Sequence, residues 1–343
     1  MRNNYICKMK DLARLSEART DSAAVDRSST ALAQVRLITI SDEEADQRID
    51  NFLLRICKGV PKSHIYRVLR SGEVRVNKGR INQTYRLKEG DVVRIPPVRI
   101  AEKTVNTVPG AEFKILLEDA HLLVIDKPAG VAVHGGSGVS YGVIEQLRAA
   151  RPQAKFLELV HRLDRDTSGI LLLAKKRSAL TNLHEQIRAG QLDKRYLVAV
   201  QGDWQNARQH VKLSLFKYST PEGERRVRVQ SDGLPSHTIF NLIRRYGSFA
   251  LLEAELKTGR THQIRVHLAS SGFPILGDDK YGDFGLNRVL QKAEDSRIAL
   301  KRMFLHAHQI TFLHPETGNP VTLKAPLSTE CQQFLKSLEE PAA

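Results

Sequence analysis

The chain has 343 residues, of which 41% are hydrophobic and 27% are charged, and its formal net charge is +15. This composition is typical of a folded protein of one or two domains, and no apolar run is long enough to cross a bilayer as a helix. The excess positive charge favours a polyanionic partner, nucleic acid first. The cysteines, Cys7, Cys57 and Cys331, are too widely spaced for a disulfide scaffold, which predicts a reducing, cytoplasmic location.

Residues 1–35 predict a disordered tail, because they are rich in Ser, Thr, Ala and Asp and carry few large apolar side chains. A compact module is expected over residues 36–98. Ser41 and Glu44 have the spacing of a capping box ahead of an amphipathic helix in "ADQRIDNFLLRIC". A second helix is predicted from Pro61 to Gly72, followed by short strands in "EVRVN" and "DVVRIP".

The module is strongly basic. Between Arg48 and Arg99 there are 13 Lys or Arg residues and 4 Asp or Glu residues. Most of these Lys and Arg residues lie outside the apolar faces of the predicted helices and strands. We therefore expect an exposed phosphate-binding surface made by Lys62, Arg67, Arg70, Arg75, Lys78 and Arg80. The alternative interpretation is an ordinary solvated face.

The same module resembles the S4 RNA-binding domain. The resemblance is carried by "QRIDNFLLR", "PKSHIYRVLRSGEVRVNKGR" and "LKEGDVVRIP". It implies RNA as the partner, but it leaves the activity open, because S4 domains occur in many RNA-handling proteins.

Residues 99–110 predict a linker, and residues 111–338 predict a larger second domain. Strands are predicted in "FKILLED", "LLVIDKP", "LELV", "GILLLAKK", "RYLVAVQG", "RRVRVQ", "TIFNLI" and "FALLEAEL". Helices are predicted in "SYGVIEQLRAA", "RSALTNLHEQIRAG" and "THQIRVHLASSG". Because strands outnumber helices, we expect an α+β fold with a mixed or largely antiparallel sheet.

The loop "HRLDRDTSG" places charged residues between two apolar segments. Asp164 lies between Arg162 and Arg165, and nearby cations favour an ionised carboxylate. A positioned carboxylate serves as nucleophile, base or electrostatic stabiliser. The alternative is an ion-pair network that ties a turn to the sheet.

Two other stretches carry candidate functional residues. In "KTGRTHQIRVH" we expect a helix to begin near Thr261, with Ile264 facing the core and Arg265 pointing elsewhere. In "DKRYLVAVQG", Tyr196 stands at the start of a strand.

Several other functional classes are disfavoured. The chain lacks the glycine-rich loop of kinases and the dinucleotide and P-loop patterns. Zinc at His306, His308 and His314 is disfavoured because no HExxH frame or neighbouring cysteine accompanies them. Asp164 and Asp166 are too close in one loop for a glycosidase pair.

The motifs are similar, in order, to those of the RluA family of pseudouridine synthases. They are "DKPAGVAVHGG", "HRLDRDTSGILLLAKK", "KRYLVAV", "TGRTHQIRVH", "PILGDDKYGD" and "FLHAHQITFLHP". The resemblance covers about residues 38–335. It implies isomerisation of uridine to pseudouridine in RNA, without a cofactor or metal. The implied partner is 23S ribosomal RNA or a large-subunit assembly intermediate, with no membrane association, and we expect a monomer.

The resemblance also implies residue roles. Asp164 is the catalytic residue, acting either by attack on C1′ of the ribose or by removing a proton on the way to a glycal. Tyr196 packs against the flipped base and assists proton loss from C5. Arg265 salt-bridges the aspartate in a charge-assisted contact, for which a guanidinium offers either a single or a bidentate geometry. Arg162 fills the space that the base vacates.

Within the same loop, His161, Arg165 and Asp166 are expected to support the loop and contact RNA. Two competing hypotheses remain at this point: an S4-type RNA-binding factor with an inactive second domain, and an enzyme acting on transfer RNA or on another ribosomal uridine.

Overall fold

The structure is a computed structural model that describes residues 34–57, 59–98, 108–136, 139–221, 223–293 and 299–339. The predicted tail therefore lies outside the described residues except for 34 and 35, and so does the predicted linker except for 108–110. The described residues form two compact units, one of residues 34–40 and 46–98 and the other of residues 41–45 and 108–339. No helix in these ranges combines the length and hydrophobicity that a membrane crossing requires.

The first unit packs two helices against a small antiparallel sheet. Its elements are β1 (Arg36–Thr39), α1 (Ile49–Ile56), α2 (Lys62–Arg70), β2 (Arg75–Val76) and β3 (Val92–Ile95). The strand order is β1-β3-β2, and the apolar faces of both helices meet in one core around Phe52, Leu53 and Ile65. Asp50 is buried in α1 and accepts a hydrogen bond of 3.0 Å from the Tyr66 hydroxyl in α2. This bond fixes the two helices to each other.

One local prediction, which concerns the segment just before α1 in the sequence, is wrong. Ser41 and Glu44 do not cap α1. The Glu44 backbone N–H donates to the Ser41 carbonyl at 3.2 Å, and the two residues close a turn well before the helix begins at Ile49. Arg48 is the N-cap residue instead, and it makes no side-chain capping bond.

The second unit is built on one large mixed sheet. Its strands are β4 (Lys114–Glu118), β5 (Leu122–Lys127), β6 (Glu158–Leu159), β7 (Ser168–Ala174), β8 (Asp193–Gln201), β9 (Arg208–Ser219), β10 (Arg225–Val229), β11 (Leu234–Tyr246), β12 (Phe249–Leu256), β13 (Leu305–Leu313) and β14 (Pro320–Lys324). Its helices are α3 (Val143–Ala150), α4 (Arg177–Arg188), α5 (Gln263–Ser270), α6 (Phe284–Lys292) and α7 (Thr329–Ser337). The α+β prediction with a mixed sheet is confirmed.

The strand order across the described sheet is β10-β9-β11-β12-β8-β13-β7-β5-β4, with β14 on β13 and β6 on β7. The pair β13–β7 is parallel, and the other pairs are antiparallel. Strand β7 is buried on both faces, which explains its uninterrupted apolar run. Leu171 and Leu173 face one core with Trp204 and Phe240. The alternate residues of β7 face a second core that α4 covers; they are Ile170, Leu172 and Ala174.

The predicted strand "LELV" is only partly correct, since β6 contains two residues and is half-buried. The close approach of β13 to β7 explains Gly169. This glycine has φ +106°, and a Cβ there would lie 2.2 Å from the Ala307 carbonyl oxygen. Only glycine fits at this position, where the charged loop joins the sheet.

Candidate active site

The loop of residues 161–167 connects β6 to β7 at the edge of the core. Leu163 is buried in that core, and the Thr167 backbone N–H donates to the Asp164 carbonyl at 3.2 Å. The Asp164 side chain is 19% exposed, so its carboxylate lies recessed but reachable. Arg162, two positions earlier, is exposed at the surface.

His161 supports the loop from inside. Its Nε2 accepts the Leu172 backbone N–H at 3.2 Å. Burial, together with the positive charge of Lys194, lowers the pKa of His161 to about 3. The imidazole is therefore neutral at physiological pH and acts as a hydrogen-bonding brace between the loop and β7.

A second brace is Lys127, at the end of β5. Its buried ammonium donates to the Arg165 carbonyl at 3.0 Å and to the carbonyls of Pro128 and Val131 at 2.8 and 2.7 Å. Burial lowers the pKa of Lys127 to about 7. Sequence reasoning assigned Lys127 no role, although it lies in the motif "DKPAGVAVHGG".

The loop forms the floor of a cavity of about 350 Å³. The start of β8 and the segment from the end of β12 into α5 form its walls, and they bring Tyr196 and Arg265 to the same cavity as Asp164. Among the described lining residues Asp164 is the one carboxylate, while the Lys and Arg residues are Arg162, Arg188, Lys194, Arg260 and Arg265. This volume suits one nucleotide, and the positive lining suits a phosphate-bearing ligand.

Arg265 contacts the candidate catalytic carboxylate but binds another aspartate more closely. Its Nη1 lies 3.4 Å from Asp164 Oδ2, whereas Nε and Nη2 donate to the two oxygens of Asp278 at 2.7 and 2.6 Å. The bidentate contact is therefore made with Asp278, and the contact with Asp164 is single. Asp279 adds a bond of 3.2 Å from the exposed side.

The Arg265–Asp278 pair is fully buried, with side-chain exposures of 2% and 0%. Burial opposes both charges, but their mutual hydrogen bonds and attraction outweigh it, raising the pKa of Arg265 and lowering that of Asp278. Helix α5 begins at Gln263, and both Ile264 and Arg265 are buried, so the expectation that Arg265 points away from the interior is wrong. Sequence reasoning missed Asp278, although it lies in the motif "PILGDDKYGD".

Tyr196 packs into the core wall of the cavity with 6% of its surface exposed. Burial, and then the negative charge of Asp164, raises the pKa of its phenol. The side chain is therefore a neutral phenol at physiological pH, available as a hydrogen-bond donor.

Among the remaining candidates, Arg165 belongs to the same loop but does not line this cavity. Arg165 turns away to pair with Asp166 at 3.1 Å and Asp279 at 3.8 Å. The cations predicted to bind phosphate belong to the first unit, where all are exposed: Lys62, Arg67, Arg70, Arg75, Lys78 and Arg80. Within the described part of the chain none of these six forms an ion pair, so their charge is available to a ligand.

The three histidines near the C-terminus have separate partners. His306 bonds to Ser168 at 2.8 Å, and His308 and His314 bond to the carboxylates of Glu253 and Asp119. Across the ranges that the structure describes, no group of three or more His, Cys, Asp or Glu side chains is placed to hold a metal ion.

The chain matches two family models. Residues 121–270 match the model described as RNA pseudouridylate synthase, and residues 47–93 match the S4 domain. Its relatives include proteins named ribosomal large subunit pseudouridine synthase C. The one from Haemophilus influenzae is 52% identical, with 90% of this chain and 96% of the relative covered. The one from Escherichia coli is also 52% identical, with 90% and 98% covered.

Solved structures agree with the sequence relatives. Human RNA pseudouridylate synthase domain containing 4 is 26% identical with a TM-score of 0.55, covering 66% of this chain and 93% of its own. Human RNA pseudouridylate synthase domain containing 1, at 23% identity and a TM-score of 0.51, shows the same fold. With half of its residues shared with relatives over nearly their whole length, the chain belongs to the RNA pseudouridylate synthase family and carries an S4 domain ahead of the synthase domain.

Proposed function

We propose that this protein converts uridines of 23S ribosomal RNA, free or in a large-subunit assembly intermediate, to pseudouridine. The substrate follows from the relatives named ribosomal large subunit pseudouridine synthase C, which align over 94–99% of their lengths. The observation that carries the site assignment is the recessed Asp164 carboxylate, held against Arg265 on the floor of a basic cavity.

The reaction is an isomerisation and needs no second substrate. The bond from N1 of uracil to C1′ breaks, the base turns, a bond from C5 to C1′ forms, and the C5 proton is lost while N1 gains one. Asp164 acts at the ribose, either by attack on C1′ or by removal of the C2′ proton. Arg265 orients its carboxylate, and the buried Asp278 holds the guanidinium in place.

Tyr196 packs against the flipped base in this proposal. Because its phenol is protonated, it takes up the C5 proton only as its own proton passes to N1 or to solvent, and the proton that N1 gains balances the one lost from C5. Arg162, exposed where the cavity opens, fills the space that the base leaves in the RNA. His161 and Lys127 keep the loop rigid during these steps.

The S4 domain, residues 36–98, is proposed to dock the RNA backbone onto its exposed cations, and residues 111–338 to form the catalytic domain. Lys62, Arg67, Arg70, Arg75 and Lys78 would contact phosphates, and Arg165 would add a contact beside the cavity. We place the protein in the cytoplasm, which accords with a ribosomal RNA substrate, and we expect it to act as a monomer.

The test is pseudouridine mapping of ribosomal and transfer RNA from cells with and without the gene, by carbodiimide labelling and reverse transcription. We expect specific large-subunit signals to disappear and to return with the wild-type gene but not with Asp164→Asn. Asp166→Asn is the matched control, because it removes a carboxylate from the same loop that does not line the cavity. It should retain far more activity than Asp164→Asn.

Purified Asp164→Asn should bind RNA within a few fold of wild type, since Asp164 contributes no positive charge to docking. If pseudouridine signals are lost from transfer RNA instead, the substrate is transfer RNA. Loss of no signal in either pool would favour an RNA-binding factor without activity, and activity in Asp164→Asn would remove Asp164 from the catalytic role.

A further inference from the structure

His262 forms part of the cavity wall directly before α5, and its backbone is unusual. Its φ is +51° and its ψ is 22°, a left-handed conformation that non-glycine residues seldom adopt. The side chain is 13% exposed and lines the same cavity as Asp164. Strained backbone of this kind concentrates at functional sites, and here it directs the imidazole into the cavity.

We assign the proton of His262 to one ring nitrogen from the hydrogen bonds around Tyr281, whose hydroxyl proton needs an acceptor. The Val227 backbone N–H donates to Tyr281 Oη at 2.9 Å, so the hydroxyl oxygen already accepts. The hydroxyl proton is then directed to His262 Nδ1, which lies 2.9 Å away. Because Nδ1 accepts, the proton of a neutral imidazole sits on Nε2.

The surroundings keep this imidazole neutral. Burial lowers the pKa of His262, and Arg265 and Lys280 act in the same direction, whereas Asp164 and Asp278 act against them. His262 therefore presents a single N–H donor, at Nε2, to the cavity.

This donor faces Asp164 without bonding to it. His262 Nε2 lies 3.9 Å from Asp164 Oδ2, which is too far for a direct hydrogen bond. An oxygen atom at about 2.8 Å from both can occupy the space between them. Such an oxygen must accept from Nε2–H and, if it bears a proton, donate to the carboxylate. A hydroxyl group meets both requirements.

We propose that His262 and Asp164 together bind the 2′-hydroxyl of the target uridine, and so select ribose over deoxyribose. The inference rests on the proposed function, in which Asp164 acts at C1′ or C2′, because the 2′-hydroxyl is attached to one of these carbons and adjacent to the other. The 2′-hydroxyl is both donor and acceptor, and it is the group by which proteins distinguish RNA from DNA at a given site.

The test compares binding of two RNA fragments that span a mapped target site. One carries pseudouridine at the target position and the other 2′-deoxypseudouridine, and their affinities are measured by competition. The uridine form of the fragment is first shown to be converted by the wild-type enzyme, which separates this inference from the proposed function. No chemistry is needed in the comparison itself, so a loss of turnover cannot obscure it.

Wild type should bind the deoxy fragment about 10- to 100-fold more weakly, because the deoxy sugar forms neither the neutral hydrogen bond nor the charge-assisted one. His262→Ala should reduce the ratio of the two affinities by about 2- to 10-fold, because it removes one neutral hydrogen bond while the bond to Asp164 remains. His262→Asn should behave like alanine, because asparagine tolerates the left-handed backbone but is too short to place a donor at Nε2. His262→Gln, whose amide nitrogen reaches that point, should restore part of the ratio.

His184→Ala is the matched control, since His184 lines the same cavity but its Nε2 lies 3.1 Å from the Val160 carbonyl. It should leave the ratio between the two fragments unchanged. The inference is overturned if His262→Ala and His262→Asn discriminate as well as wild type, or if wild type binds both fragments equally.

Discussion

Asp278→Asn is the most demanding test of the site, because Asp278 is the principal counterion of Arg265. The carboxylate is fully buried and accepts four hydrogen bonds, two from Arg265 and two from the backbone N–H groups of Lys280 and Tyr281. An asparagine oxygen still serves the backbone groups, but its amide N–H₂ faces a guanidinium N–H. Arg265 then loses the charge of its partner and the bond from Nε, and it keeps a neutral hydrogen bond from Nη2 to the asparagine oxygen. It also keeps the 3.4 Å contact with Asp164 and an exposed contact with Asp279.

Removing one partner of a buried ion pair costs about 3–5 kcal/mol, and we expect a decrease of that size in the free energy of unfolding. Turnover should also fall by about 10²-fold, since a misplaced guanidinium no longer orients Asp164. Urea denaturation followed by fluorescence measures the first quantity, because the single tryptophan, Trp204, is buried in this unit. Activity is assayed where the variant is still folded.

Asp279→Asn is the control, because it makes the same chemical change beside the same guanidinium at a side chain that is 54% exposed. Asp279→Asn should lower the free energy of unfolding by at most about 1 kcal/mol. If the two variants are destabilised equally, Asp278 is not the principal counterion, and another group must hold Arg265 in place.

Three further predictions concern other parts of the chain. Tyr196→Phe should lower turnover by about 10²- to 10⁴-fold, the range for a positioned group that takes part in proton transfer; normal turnover would exclude the hydroxyl from the chemistry. Burial lowers the pKa of His267 from 6.5 to about 4. Between these two pH values the unfolded state therefore binds more protons than the native state, so the free energy of unfolding should fall as the pH falls from 6.5 to 4. His267→Phe should reduce this pH dependence in urea titrations. An unchanged pH dependence would show that His267 is not the group responsible. Finally, replacing Lys62 and Lys78 by glutamine should reduce the slope of log affinity for RNA against log salt concentration. The expected change is about 0.7 to 0.9 for each phosphate that is no longer neutralised. An unchanged slope would show that neither lysine binds the RNA backbone.

Local patterns predicted much of the second unit. The periodicities that indicated α3, α4 and α5 and strands such as β5, β7 and β12 reflect burial against a sheet, which alternation and helical spacing report directly. Strand β9 was not predicted, although Val211 and Leu215 alternate with polar residues along it. The short β6 was overestimated because apolar residues before a loop resemble a strand whether or not they pair.

The candidate site was predicted only in part, and for a physical reason. The motifs identified Asp164, Tyr196 and Arg265 as candidates, but the identity of each neighbour depends on tertiary contacts. Nothing in the spacing of "HQIR" shows that the helix is buried on all sides, and so needs a buried anion such as Asp278 to balance Arg265. The proton position on His262 likewise depends on a hydroxyl 19 residues away and on a backbone group of β10.

The position of β13 bears on when a newly made chain gains its active site. Asp164 precedes β7 and Tyr196 lies on β8, yet these two strands are not neighbours, because His306 and Ala307 of β13 pair with both. During synthesis, the loop that carries Asp164 and the strand that carries Tyr196 are therefore not held in their final relative positions until more than 100 residues beyond Tyr196 have left the ribosome. A nascent or C-terminally truncated chain that ends before β13 lacks the strand that aligns the carboxylate with the tyrosine. Catalytic competence is in this way restricted to the nearly finished polypeptide.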